Sequence, residues 1–147
     1  MQEFNNTCCF FGHRDIPSNI KLNLMSAIER LIQEYGVINF FVGNQGGFDS
    51  LALSSLKKLS VKYPEIRYNV VLAYLPDEKS NPIDAETLYP EGIENVPKRF
   101  CISWRNNWLI DHSQYVICYV SHLTGGASRF MELAIKRNRT VINLSQK

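Results

Sequence analysis

The sequence predicts an α/β fold, a Rossmann-like three-layer sandwich around a five-stranded parallel sheet in the order 3-2-1-4-5. Three observations predict it. Short apolar runs alternate along the chain with segments of helical period. The apolar runs are hydrophobic at successive positions, the pattern of strands covered on both faces. Three of these runs lead into glycine-bearing polar loops, GHR at 12–14, GNQGGFD at 43–49 and, after Ser121-His122-Leu123, TGGASR at 124–129. In an open parallel sheet such loops gather at the carboxyl edge, beside the point where the strand order reverses and where ligands bind.

The first strand is the run Thr7 to Phe11. After Gly12-His13-Arg14 a helix is expected from Ser18 or Asn19, either of which can cap it. Its apolar positions are Ile20, Leu24, Ala27, Ile28, Leu31, Ile32 and Tyr35, and Gly36 stands where such a helix ends. Val37 to Val42 is the second strand. Helical spacing resumes at Leu51, Ala52, Ser55, Leu56 and Leu59, and Tyr63-Pro64 closes that helix. Tyr68 to Leu75 is the third strand. Residues 76–98 break the pattern, with four prolines and little periodicity, and read as a partly ordered excursion: a lid, an oligomer contact or a plain surface insertion. Phe100 to Ile110 is helical with Trp104, Trp108 and Ile110 expected inward. Tyr115 to Val120 is the fourth strand, a helix follows from about Ser128 to Lys136, and Thr140 to Leu144 is the fifth strand.

The 147 residues suit one domain spanning 1–147, with enough hydrophobic content (45%) for a core without staples. Sixteen basic against fourteen acidic residues leave a net charge of +2. That balance argues against a long polyanion as partner, nucleic acid included, and against a membrane surface, while a small anionic ligand needs only local charge. No apolar run approaches the roughly 20 residues of a membrane-spanning helix, and the start MQEFNN has no signal-peptide pattern, so a cytoplasmic protein is expected. Cys8, Cys9, Cys101 and Cys118 form no C-x-x-C pair and read as buried reduced thiols. Cys8 and Cys9 point to opposite faces of a strand and would not converge with His13 on a metal. Neither a metal nor a cofactor is expected.

The ligand-site residues follow from the loops. Gly125 and Gly126 join a strand to a helix, an arrangement that brings backbone close to an anion and aims free N–H groups at it; a tight turn alone would need the same glycines. Ser128 and Arg129 follow in that loop. Arg14 offers a planar fork for phosphate or carboxylate, unless it pairs with Asp15 or Asp49. Asn44 and Gln45 can hydrogen-bond a ribose or base, or simply shape the turn, with Gly46 and Gly47 beside them. Asp49 sits at a helix start, where the dipole alone favours a carboxylate. His13 adjoins Arg14; His112 and His122 show no relay spacing with it. Candidate ligand contacts are therefore Gly12, His13, Arg14, Asn44, Gly46, Gly47, Gly125, Gly126, Ser128 and Arg129.

Gly12-His13-Arg14 after the first strand, GNQGGFD and the late TGGA loop together resemble the SLOG superfamily, which includes the Lonely Guy phosphoribohydrolases and the DNA-processing protein A family. The resemblance covers nearly the whole chain and is closest to small stand-alone members. It implies a Rossmann-like domain that binds or senses a nucleotide or nucleotide-derived ligand, in a homo-oligomer. The alternative it implies is hydrolysis of the N-glycosidic bond of a nucleoside 5′-monophosphate. The Lonely Guy loop P-G-G-x-G-T-x-x-E is matched by Gly125, Gly126 and Glu132, and its preceding helical arginine by Arg105, the two residues to which catalysis would fall. Thr124, Ser128, Arg129 and Asn106 depart from that family's proline, third glycine, threonine and lysine.

Overall fold

The computed structural model describes residues 5–76, 82–122 and 124–145. Part of the excursion, 77–81, lies outside these residues, as do the first four positions and Leu123. The elements are β1 (Thr7–Gly12), α1 (Ile20–Tyr35), β2 (Asn39–Val42), α2 (Gly47–Lys62), β3 (Arg67–Val71), β4 (Thr87–Leu88), α3 (Cys101–Asp111), β5 (Tyr115–Tyr119), α4 (Gly126–Lys136) and β6 (Thr140–Asn143). Two 3₁₀ turns, Ile93–Asn95 and Lys98–Phe100, lead into α3.

All strands are parallel, in the order β4-β3-β2-β1-β5-β6. Among the described residues the sheet therefore has six strands rather than five. The additional one is β4, supplied by the excursion and added outside β3, with Val70 opposite Thr87 and Val71 opposite Leu88. Val70 N–H donates to the Glu86 carbonyl (2.9 Å) and Leu72 N–H to that of Leu88 (2.8 Å). A two-residue strand has no periodicity to read, which is why the sequence showed only a loop there. The remaining five keep the expected order, reversing at β1.

Alternation along β1 sorts the core into two layers. Cys8 and Phe10 face α1 and α2, packing with Leu24, Ile28, Leu31, Phe40, Phe48 and Leu56. Cys9 and Phe11 face α3 and α4, packing with Leu109, Ile110, Val116, Cys118, Phe130 and Ala134. Both faces being covered explains the unbroken apolar run. Gly36 ends α1 in the left-handed conformation (φ 68°), its N–H donating to the Leu31 carbonyl. In α3 the buried residues are Cys101, Arg105, Leu109 and Ile110, not the two tryptophans. Trp108 lies at the layer's margin, stacked on His112 with ring centres 3.9 Å apart and against Phe41 at 5.3 Å. The buried position between the tryptophans goes to Arg105, whose charge is met by polar partners described below.

One contact sets the seat of α2 on the sheet. A Cβ placed on Gly12 would lie 2.2 Å from Cγ of Phe48, a fully buried side chain in the first turn of α2. Gly12 therefore allows the aromatic ring to close directly onto the end of β1. Gly12→Ala is expected to destabilise the fold by about 1–3 kcal/mol through overpacking. Urea denaturation should show this, and adding Phe48→Leu should give a double variant more stable than the sum of the two single losses implies; strict additivity would contradict the contact.

Candidate functional site

The carboxyl ends of β1, β2 and β5 meet as expected at the reversal of strand order. The β1 loop and the β2 loop are pressed together: Gly47 N–H donates to the Arg14 carbonyl at 2.9 Å, and a Cβ on Gly47 would lie 2.5 Å from that oxygen. Gly46 and Gly125 precede α2 and α4 with nearly the same backbone, φ 95° and ψ −176° against φ 103° and ψ 177°. Glycine alone takes that conformation without strain. Both chains thus turn sharply from strand into helix, and the N-termini of α2 and α4 point at the same edge of the sheet.

Between them opens a cleft of about 360 Å³. Gly12, His13 and Arg14 form one side, Gly43, Gln45 and Asp49 the next, and Gly126, Ala127, Arg129 and Phe130 of α4 another. The wall from α3 contributes Ile102, Ser103, Arg105, Asn106 and Leu109. Arg14 and Arg129 are exposed, and neither joins an ion pair among the described residues. Arg129 lies over the Phe130 ring, its Cζ 5.3 Å from the centre.

The floor is charged and nearly sealed. Arg105 is only 2% exposed; its Nη1 donates to the Val71 carbonyl (2.8 Å) and its Nε to Asn106 Oδ1 (2.9 Å). Burial pulls its pKa below the ordinary arginine value, against the opposing pull of Asp49, yet an arginine stays charged in any such setting. Asp49, 8% exposed, accepts the Gln45 backbone N–H on Oδ2 at 2.9 Å. Burial pushes its pKa up to about 6, with the Gln45 hydrogen bond and the Arg105 charge pulling the other way. A Cβ on Gly43 would lie 2.7 Å from Asp49 Oδ2 and 2.9 Å from Arg105 Nη1, so the two side chains flank this glycine together.

His13 ties two loops. Its Nε2 accepts the Ser121 backbone N–H at 2.9 Å, which leaves the neutral ring's proton on Nδ1. Its ring centre lies 4.4 Å from that of His122. Burial, and secondarily the charge on His122, pull its pKa below the usual histidine value, so the neutral form that makes this tie is favoured.

Of the sequence-derived contacts, Gly12, His13, Arg14, Gly126 and Arg129 border the cleft, and so does Arg105. Gly46 and Gly47 instead support Arg14 from behind. Asn44 is exposed and accepts a hydrogen bond from Gln45 Nε2 (3.3 Å). Gly125 shapes the entry to α4, and Ser128 is buried. Glu132 borders a different groove of about 530 Å³ between α3 and α4, with Phe100, Asn107, Leu133 and Lys136. Ser103, Arg129 and Phe130 line both hollows, so the two adjoin, with Arg105 bordering only the first and Glu132 only the second. The floor residues Gly43, Asp49 and Asn106 were not among the contacts read from sequence. A carboxylate one turn into a helix looks the same whether it favours the dipole or faces a ligand. Among the described residues no three histidine, cysteine or acidic side chains converge as a metal site, and no helix is long and apolar enough to cross a membrane.

Because the pKa of Asp49 is raised from 3.8 to about 6 in the fold, the native state holds a proton that the unfolded state has released between those values. Stability is then fully present below pH 4, falls as pH rises towards 6 and levels off above it, by on the order of 3 kcal/mol. Asp49→Asn keeps an oxygen for the Gln45 N–H and should lack this segment. Chemical denaturation from pH 4 to 8 should show wild type losing ground to the variant as pH rises through about 6; parallel profiles would contradict it.

No family model matches the chain, and no curated protein matches it. Solved structures do. DNA processing protein A from Streptococcus pneumoniae superposes with a TM-score of 0.68 at 16% identity, over 95% of this chain and 50% of that one. DNA processing protein A from Helicobacter pylori, described for its single-stranded DNA binding mode, superposes with a TM-score of 0.58 at 14% identity, over 95% of this chain and 65% of that one. The chain thus spans half of the first protein's length and just under two thirds of the second's. These neighbours overturn the expectation against a nucleic-acid partner. That expectation rested on net charge, which sums over the whole surface and says nothing of where the charges gather. The likeness stands at the level of fold: the chain has a Rossmann-like architecture shared with DNA processing protein A.

Proposed function

We propose that this protein binds the phosphate-bearing unit of a nucleotide, within a single-stranded nucleic acid or as a free nucleotide, in the cleft at the carboxyl edge of its sheet. The observation that carries the reading is the pair of exposed arginines, Arg14 and Arg129, which join no ion pair among the described residues and line one cleft with Gly126 at the N-terminus of α4. A Cβ on Gly125 or Gly126 would meet nothing within 4 Å, so the backbone there is open to an approaching group. Guanidinium forks and free helix N–H groups are donors suited to phosphate oxygens. The fold shared with a single-stranded DNA-binding protein supports the same reading.

Hydrolysis of an N-glycosidic bond by Arg105 and Glu132 is the weaker reading, because Arg105 borders the cleft and Glu132 only the groove that adjoins it across Ser103, Arg129 and Phe130.

Two binding assays separate the sources of the phosphate: anisotropy of a labelled single-stranded oligonucleotide, and calorimetry with nucleoside 5′-monophosphates. Arg129→Ala is expected to weaken whichever ligand binds by about tenfold or more, with the fold intact by circular dichroism. Arg129 binding-neutral in both assays would remove the cleft reading. Glu132→Gln should change affinity by less than about twofold, since it lies outside this cleft. With two arginines neutralising phosphates, oligonucleotide affinity should fall with salt at a log–log slope of about −1.4. A much steeper slope would mean that the strand runs over further cations.

A further inference from the structure

The cleft floor carries two charged groups that phosphate binding at the rim does not use. Asp49 is 92% buried by its 8% exposure, and among the described residues its Oδ1 has no hydrogen-bond partner, Oδ2 being taken by Gln45. Arg105 spends Nη1 and Nε on Val71 and Asn106, and its Nη2 has no partner among the described residues. The only fully enclosed side-chain atoms without partners among the described residues are Ser55 Oγ and Ser113 Oγ. The free atoms of Asp49 and Arg105 therefore keep some access, and both residues border the cleft. A buried carboxylate with an open acceptor is costly unless something completes it.

An acceptor-only group beside a donor-only group complements a ligand edge on which N–H donors adjoin an acceptor. The hydrogen-bonding edges of nucleobases have this form. Guanine alone of the four common bases presents two adjacent N–H donors, N1 and N2, beside an acceptor, O6. We infer that the floor of this cleft is a guanine-reading site, with Asp49 accepting one of N1–H and N2–H on Oδ1 and the other on the second lone pair of Oδ2, beside the Gln45 N–H, and Arg105 donating to O6. The inference rests on the nucleotide reading given above: the phosphate lies at Arg14 and Arg129 on the rim, and the base reaches inward past Gly43. Adenine offers one donor to Asp49 at the same edge and cytosine one, so each leaves part of the carboxylate unmet.

Calorimetry at pH 7.5 with guanosine, inosine, adenosine and cytidine 5′-monophosphates tests it on the unaltered protein. Inosine differs from guanine at this edge by lacking the N2 amino group. The expected result is guanosine monophosphate bound about tenfold or more tightly than the inosine form, with the adenosine and cytidine forms weaker. Asp49→Asn should reduce the guanosine preference over inosine to about twofold or less, while Arg129→Ala should weaken all bound nucleotides alike. The preference should also shrink at pH 5, where Asp49 is protonated and ceases to be an acceptor only. Equal affinity for guanosine and inosine forms, with loss in Arg129→Ala, would overturn the guanine site and leave the phosphate rim standing. No binding of any mononucleotide or of a guanine-containing single strand would overturn both.

Discussion

The architecture of this cleft depends on close approach at glycines. At Gly12, Gly43 and Gly47 an added Cβ would lie 2.2 to 2.7 Å from its nearest neighbour, inside the distance at which atoms can coexist. Each contact fixes a different relation. Gly12 lets Phe48 lock the first turn of α2 onto β1, Gly47 lets the β2 loop rest on the Arg14 carbonyl, and Gly43 lets Asp49 and Arg105 share the floor. Together they bring the β1 loop, the β2 loop with the start of α2, and α3 into one small volume, with the N-termini of α2 and α4 pointed at it. A side chain at Gly43 or Gly47 would press on the loops directly, and one at Gly12 on the end of β1 itself.

Within that volume the charges are layered. The two arginines of the rim are solvated, so their attraction for an anion is screened and salt-dependent. The arginine of the floor is nearly sealed, and its stability relies on Val71, Asn106 and the nearby Asp49. Burying Asp49 costs more than these partners return, which is why its pKa rises despite a backbone N–H and a guanidinium beside it. Sites that hold such imbalance are often where ligands complete the hydrogen bonding. The tie from His13 to Ser121 belongs to the same arrangement, since it holds the β1 loop to the chain entering α4.

Much of this was legible in the sequence because it follows from periodicity. Runs such as Cys8-Cys9-Phe10-Phe11 and the spacing of Leu24, Ile28 and Leu31 dictate which layer each side chain joins. The glycine loops marked the edge where the cleft lies. What pattern could not show was pairing across distance. Thr87-Leu88 became a strand through hydrogen bonds from Val70 and Leu72, with no period of its own. Arg105 took an inward position that hydrophobicity assigns to Trp104 or Trp108, because a carbonyl 34 residues away accepts from it. Glu132 matched a family motif by spacing, yet the turn of α4 carries it to the groove beside Phe100 and Lys136. Net charge misled about nucleic acid for a related reason: it sums over the surface, and recognition depends on which charges meet at one rim.

The most direct test is an amide-resolved NMR titration with guanosine 5′-monophosphate, which reports where the ligand sits without altering the protein. The account predicts shifts clustered at Gly12, His13 and Arg14, at Gly43, Gln45 and Asp49, and at Gly126, Ala127 and Arg129. Shifts centred instead on Phe100, Asn107, Glu132 and Lys136 would place binding in the groove between α3 and α4 and contradict it.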